Sequence, residues 1–171
     1  PDYTEAYYNM GNLFKNKGEL EAAIYSYKRA IKIKPDYPDA FYNMGIALED
    51  EGEIDAAIDS YNRAIETKPD YAQAYKNMGN VLQGQGDLDA AIDCYEKGIL
   101  YVPQDAELHF HLGITLYLKG DTDAAIHSLE RANSIDANFK PSQVLYLILN
   151  ARKKREQNRT NSAEVDKSCY N

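Results

Sequence analysis

Apolar side chains along this chain recur at three- and four-residue intervals, broken by short polar stretches. Phe41, Met44, Ile46, Ala47 and Leu48 follow helical spacing, and residues 49–52 interrupt them. Ile54, Ala57, Ile58, Tyr61, Ala64 and Ile65 then resume the pattern, which predicts a second amphipathic helix facing the first. Lys68-Pro69 should end it, because a residue before proline is pushed out of the α region. The breaks are short, so successive helices are expected to pack antiparallel. The same pattern returns every 34 residues: Pro35, Pro69 and Pro103 keep this spacing, as do Gly11, Gly45, Gly79 and Gly113, and then Gly18, Gly52, Gly86 and Gly120. A period of this length describes an array of one supersecondary unit and not a closed globule.

The repeated small residues predict how the helices meet. Glycine inside a helix costs about 1 kcal/mol relative to alanine, yet Gly11, Gly45, Gly79 and Gly113 each stand in the first helix of a unit. Close approach of the second helix, whose Ala23, Ala57, Ala91 and Ala125 are also small, is the expected reason. Tyr7, Phe41 and Tyr75 on first helices, with Tyr27, Tyr61, Tyr95 and Leu129 on second helices, should fill the adjoining holes. The second glycine series should form turns that need positive φ.

An aromatic, an apolar-glycine pair, a small alanine, an aromatic, another alanine and a closing proline together resemble the tetratricopeptide repeat. The resemblance covers residues 1–136 as four units, 1–34, 35–68, 69–102 and 103–136. The fourth departs most: His109 and Leu129 replace aromatics, and Ala137 replaces the terminal proline. The family implies an all-α, right-handed α-solenoid of four helix-turn-helix units. A C-terminal capping helix is expected over 137–157, because an array's last unit otherwise exposes its apolar face. Pro141 suits its first turn, and Val144, Leu147, Ile148 and Ala151 lie on one face. Residues 158–171 lack periodicity and are expected to be a disordered tail.

Asn9, Asn43 and Asn77 recur two residues before the helical glycine, which stacks three amides along successive first helices. An amide both donates and accepts hydrogen bonds, so such a file could hold an extended peptide's backbone; it could equally bond between helices. The tetratricopeptide arm of the O-linked N-acetylglucosamine transferases has a file of this kind, with His111 standing here in place of a fourth amide. By the family's geometry the concave side also carries Tyr8, Asn12, Tyr42, Lys76, Asn80 and Phe110. The carboxylate clamp of chaperone-binding members is matched at Asn12 and Asn43, but Tyr8, Gln73 and Asn77 stand where its basic residues belong. Without those cations an acidic tail loses its charge-assisted bonds.

Charge narrows the partner. The net charge is −8, with −7 in residues 35–68, −3 in 69–102 and −4 in 103–136, against +2 in 1–34 and +4 in 137–171. An acidic middle disfavours nucleic acid, whose phosphates need a basic path, and favours a neutral to basic protein partner. His109, His111 and His127 have no metal-ligand spacing. No catalytic residue, metal or cofactor is expected. Cys94 and Cys169 form no disulfide framework, which suits a cytoplasmic or other reducing compartment. No run is long enough to span a membrane. The chain opens at Pro1 in mid-motif and is read as a piece of something longer. The expected function is a non-catalytic interaction scaffold that takes a partner segment in its groove. The alternatives are the substrate-recognition arm of a larger, glycosyltransferase-like enzyme, or a self-assembling scaffold.

Overall fold

The computed structural model describes residues 3–168, with side chains through residue 158. Among them lie nine helices and no strand: α1 Thr4–Asn16, α2 Leu20–Ile33, α3 Pro38–Glu51, α4 Ile54–Thr67, α5 Ala72–Gly84, α6 Leu88–Tyr101, α7 Ala106–Lys119, α8 Thr122–Ile135 and α9 Lys140–Ser168. The 34-residue period is kept by the helix starts at 38, 72 and 106, and at 20, 54, 88 and 122.

The punctuation works as the sequence dictates. Gly52 takes φ 87°, its N–H donates to Glu49 O at 3.0 Å, and the Glu53 N–H reaches Leu48 O at 2.8 Å. This left-handed cap satisfies the last carbonyls of α3 and turns the chain. Lys34 and Lys68 are extended at the ends of α2 and α4, each just before a proline. Asp87, Asp105 and Asp121 cap α6, α7 and α8 by accepting from Ala90, Leu108 and Ala124 N–H groups.

The chain divides into two compact units, Pro1–Pro103 and Gln104–Asn171. In the first, each of α1 to α5 packs on the next in order, so three antiparallel hairpins share a linear core. Ala23, Tyr27, Phe41, Ala57, Tyr61 and Ala64 are among its buried residues. In the second, α7 and α8 form a hairpin that packs with α9 around Ala125, Ile126, Leu129 and Leu149.

Gly11, Gly45 and Gly79 meet rings first, whereas at Gly113 the expected Ala125 does lie opposite, through its carbonyl, beside Leu129. A Cβ at Gly11, Gly45 or Gly79 would stand 2.5, 2.6 or 2.4 Å from the Cε1 of Tyr27, Tyr61 or Tyr95. Each buried tyrosine lies flat across the glycine of its own hairpin, where the missing side chain leaves room for the ring.

α9 differs from expectation in two ways. It runs to Ser168, past the expected end of the cap at residue 157; residues 169–171, including Cys169, lie outside the described residues. After Pro141 this stretch has no proline or glycine, and its Ala, Arg, Lys, Glu and Gln are good helix formers. Its inward face is Ser142, Leu145, Tyr146 and Leu149, whereas Val144, Leu147, Ile148 and Ala151 point to solvent. Ser142 fixes that rotation by donating to Leu129 O at 3.2 Å, and Leu149 fills the core one face around. No helix of the described residues is long and apolar enough to cross a membrane.

Candidate functional site

The first helices α1, α3 and α5 carry the file of polar residues, and the structure wires it to the core. Tyr27 Oη passes its glycine and donates to Asn12 Oδ1 at 2.8 Å; Tyr95 Oη does the same to Asn80 Oδ1 at 2.7 Å. In the middle hairpin Ile46 stands at that register, and Tyr61 Oη instead reaches Glu49 Oε2, one turn on, at 2.7 Å. A buried hydroxyl needs a partner, so the acceptor moves when the sequence removes the amide.

A second set of bonds crosses from one hairpin to the next. Asn43 Nδ2 donates to Tyr8 Oη at 3.0 Å and to the Asp39 carbonyl at 3.0 Å, while its Oδ1 accepts from Lys15 Nζ at 2.7 Å. Both amide hydrogens of Asn43 are therefore used within the protein. Asn77 Nδ2 repeats the first contact on Tyr42 Oη at 3.3 Å. Asn9 is exposed. The three amides of the predicted file thus differ: Asn9 faces solvent, Asn77 ties to Tyr42, and Asn43 is held on three sides.

Tyr8 and Tyr42 each sit between two further rings. Tyr8 lies 6.1 Å from Tyr27 and 5.0 Å from Tyr37; Tyr42 lies 6.0 Å from Tyr61 and 5.0 Å from Tyr71. Tyr71 Oη donates to Asp39 Oδ1 at 2.7 Å. Burial, and then the bonds to Glu49 and Asp39, push the Tyr61 and Tyr71 hydroxyls far above their ordinary range. Partial burial pulls the Lys15 ammonium below its usual value, opposed by Asp50. Sequence reasoning missed Tyr37 and Tyr71. Their signal is Pro-Asp-Tyr, which stands at 1–3, 35–37 and 69–71.

The remaining predicted residues divide by unit. Lys76 is half-buried on α5 in the first unit, at the register of Tyr8 and Tyr42. Phe110 and His111 belong to the second unit, where Phe110 packs edge-on against Phe139 with centroids 5.1 Å apart and leans on the Leu129 core. His111 edges Phe110 at 5.5 Å. Cys94 is buried and donates to Tyr75 O at 3.3 Å; burial pushes its thiol up to about 12, which leaves it unreactive at neutral pH.

Comparison with known proteins adds a lineage to this geometry. A family model described as TPR repeat matches twice, at residues 11–52 and 48–86, and a second described as tetratricopeptide repeat matches 76–138. The crystal structure of MamA is 30% identical over 80% of each chain, with a TM-score of 0.72. MamA from Desulfovibrio magneticus RS-1 is 22% identical, covering 98% of this chain and 97% of that one, with a TM-score of 0.75. Pseudomonas aeruginosa pilF is 20% identical, covering 89% and 69%, also at 0.75. No curated protein matches the chain.

Proposed function

This chain belongs to the tetratricopeptide repeat family, an α-solenoid family of protein-interaction scaffolds, and on that premise we propose that its first unit binds an extended segment of a partner protein across α1, α3 and α5. The lattice of tyrosine hydroxyls and amides on that face carries the reading. Tyr27 and Tyr95 occupy the Oδ1 atoms of Asn12 and Asn80, which orients each Nδ2 as a donor for a partner's backbone carbonyl. Tyr8 and Tyr42 accept from Asn43 and Asn77 and so keep an O–H to give. Asn9 adds an exposed amide, and Lys76 takes the third anchor position. Asn43 is assigned a positioning role, since its own donors are spent on Tyr8 and Asp39.

Preorganisation is the physical benefit. Rings and amides already fixed by internal bonds lose little side-chain freedom when a partner arrives, which otherwise costs about 0.5–1.5 kcal/mol for each side chain immobilised. Asp39, Glu49 and Asp50 line the same stretch and favour a neutral to basic segment over an acidic one. The proposed action is binding without catalysis.

Fluorescence polarisation against a library of extended peptides graded in charge tests this. Neutral and basic peptides should bind, and Tyr8→Phe with Tyr42→Phe should weaken them by about 1 kcal/mol per lost hydroxyl bond while leaving the helix signal intact. Equal affinity for parent and double variant, or a preference for acidic peptides, would refute the reading.

A further inference from the structure

Among the described residues, two extended apolar surfaces outside the first-helix face stand uncovered. One is a groove of about 600 Å³ in the first unit, between α4 and α6 with α5 as its floor. Ile58, Ile65, Met78, Leu82, Leu100 and Tyr101 line it, and Leu100 is 77% exposed. It arises where hairpin three departs from its neighbours. Arg29 and Arg63 lie over the Tyr7 and Phe41 rings at 4.9 and 5.6 Å, but Lys97 holds that register in α6 and Tyr101 stacks on Tyr75 instead, at 6.3 Å.

The other surface is the outer face of α9. Val144, Leu147 and Ile148 are 56%, 65% and 56% exposed. Their three- and four-residue spacing continues through Ala151 to Lys154 and Arg155, so an aliphatic stripe ends in two exposed cations. Arg152 and Lys153 point elsewhere, to Tyr117 and Asp123.

These surfaces match in chemistry and oppose in charge. The helices flanking the groove, α4 and α6, carry six acids (Asp55, Asp59, Glu66, Asp89, Asp93 and Glu96) against Arg63 and Lys97, and Arg63 is paired with Glu66 at 2.8 Å. The first-helix face is polar and offers an aliphatic stripe little apolar surface to cover. We propose that the α9 stripe of one molecule docks in the α4–α6 groove of a second copy, with Lys154 and Arg155 meeting the acidic flanks. An amphipathic helix laid in an apolar groove is a common recognition mode. The contact is heterologous, since each molecule offers a different surface at either end, and it leaves the first-helix face open for a partner. One helix face falls at the small end of interfaces, below about 1,200 Å², so the association is weak and salt-sensitive. It stands independently of the peptide-binding reading.

Sedimentation velocity over a wide concentration range tests it on the full chain. The parent should form growing, salt-sensitive oligomers. Leu147→Glu with Ile148→Glu should remove them, as should Leu100→Glu with Asp93→Lys, each raising the apparent dissociation constant by about tenfold or more. Mixing the two variants should restore a heterodimer, because each keeps the half the other lacks. If the stripe variant fails to fold by circular dichroism, Lys154→Glu with Arg155→Glu replaces it. A parent that stays monomeric at every concentration overturns the proposal. So does a groove variant that still associates, which would mean α9 pairs with itself, or a mixture that stays monomeric.

Discussion

Where Gly11, Gly45 and Gly79 each lie under a tyrosine ring, Gly113 lies under the branched end of Leu129. A Cβ at Gly113 would meet Leu129 Cγ at 3.0 Å and Ala125 O at 3.2 Å, looser than the 2.4–2.6 Å approaches of the first three hairpins. The difference reaches beyond packing. A tyrosine that crosses its glycine delivers a hydroxyl to the first-helix face, where Asn12, Glu49 or Asn80 receives it. A leucine fills the same hole and delivers nothing. In the first unit the glycine thus connects core to surface; in the fourth hairpin it only makes space.

Substitution at the glycines should separate the two regimes most sharply. Gly79→Ala forces the buried Tyr95 ring aside and should lower stability by about 2 kcal/mol, within the usual cost of overpacking. Gly113→Ala needs Leu129 and the Ala125 carbonyl to give by a few tenths of an ångström, offset by about 1 kcal/mol of helix propensity, so urea melts should find a smaller loss than at Gly79, near neutral. Equal losses at both sites would show that the ring is not the cause.

A smaller effect is expected where hairpins are tied together. Asn43→Ala removes bonds to Tyr8, Asp39 and Lys15 and should cost about 1–2 kcal/mol, each net bond on this part-buried face being worth roughly 0.5. Hydrogen exchange should show the loss concentrated in α1 to α3, with α7 and α8 unchanged.

Alkali should act last and on the tyrosines. Burial raises the Tyr27, Tyr61 and Tyr71 hydroxyls well above their ordinary 10.0, and Tyr75 to about 12. Above pH 10 the unfolded chain then binds fewer protons than the folded one, so stability is full below that pH and falls as pH rises through the folded values. Lys15, lowered by burial, works the other way just below its ordinary 10.5, as one group against several. Tyrosinate absorbance should therefore rise as the helix signal is lost, both above pH 10, and Tyr61→Phe should flatten the slope.

The period and its punctuation were legible because proline, glycine and alternating apolar positions act locally, within one or two turns. The partners of the amides were not. Asn43 meets Tyr8 and Asn77 meets Tyr42 across 35 residues, one step off the 34-residue period, so reading down a column of identical positions never pairs them. The rotation of α9 was hidden for a different reason. Residues 144–149 read Val-Leu-Tyr-Leu-Ile-Leu, apolar all round, and periodicity cannot choose a face in such a run. Ser142 and Leu149 choose it through tertiary contacts.

Those rungs of 35 residues also bear on how the first unit comes into being. Every tie between hairpins closes a short stretch of chain, so little loop entropy is lost before contacts form, and chains dominated by such local contacts fold fast. Structure can start in any of the three hairpins and spread to its neighbour, as along a row of dominoes.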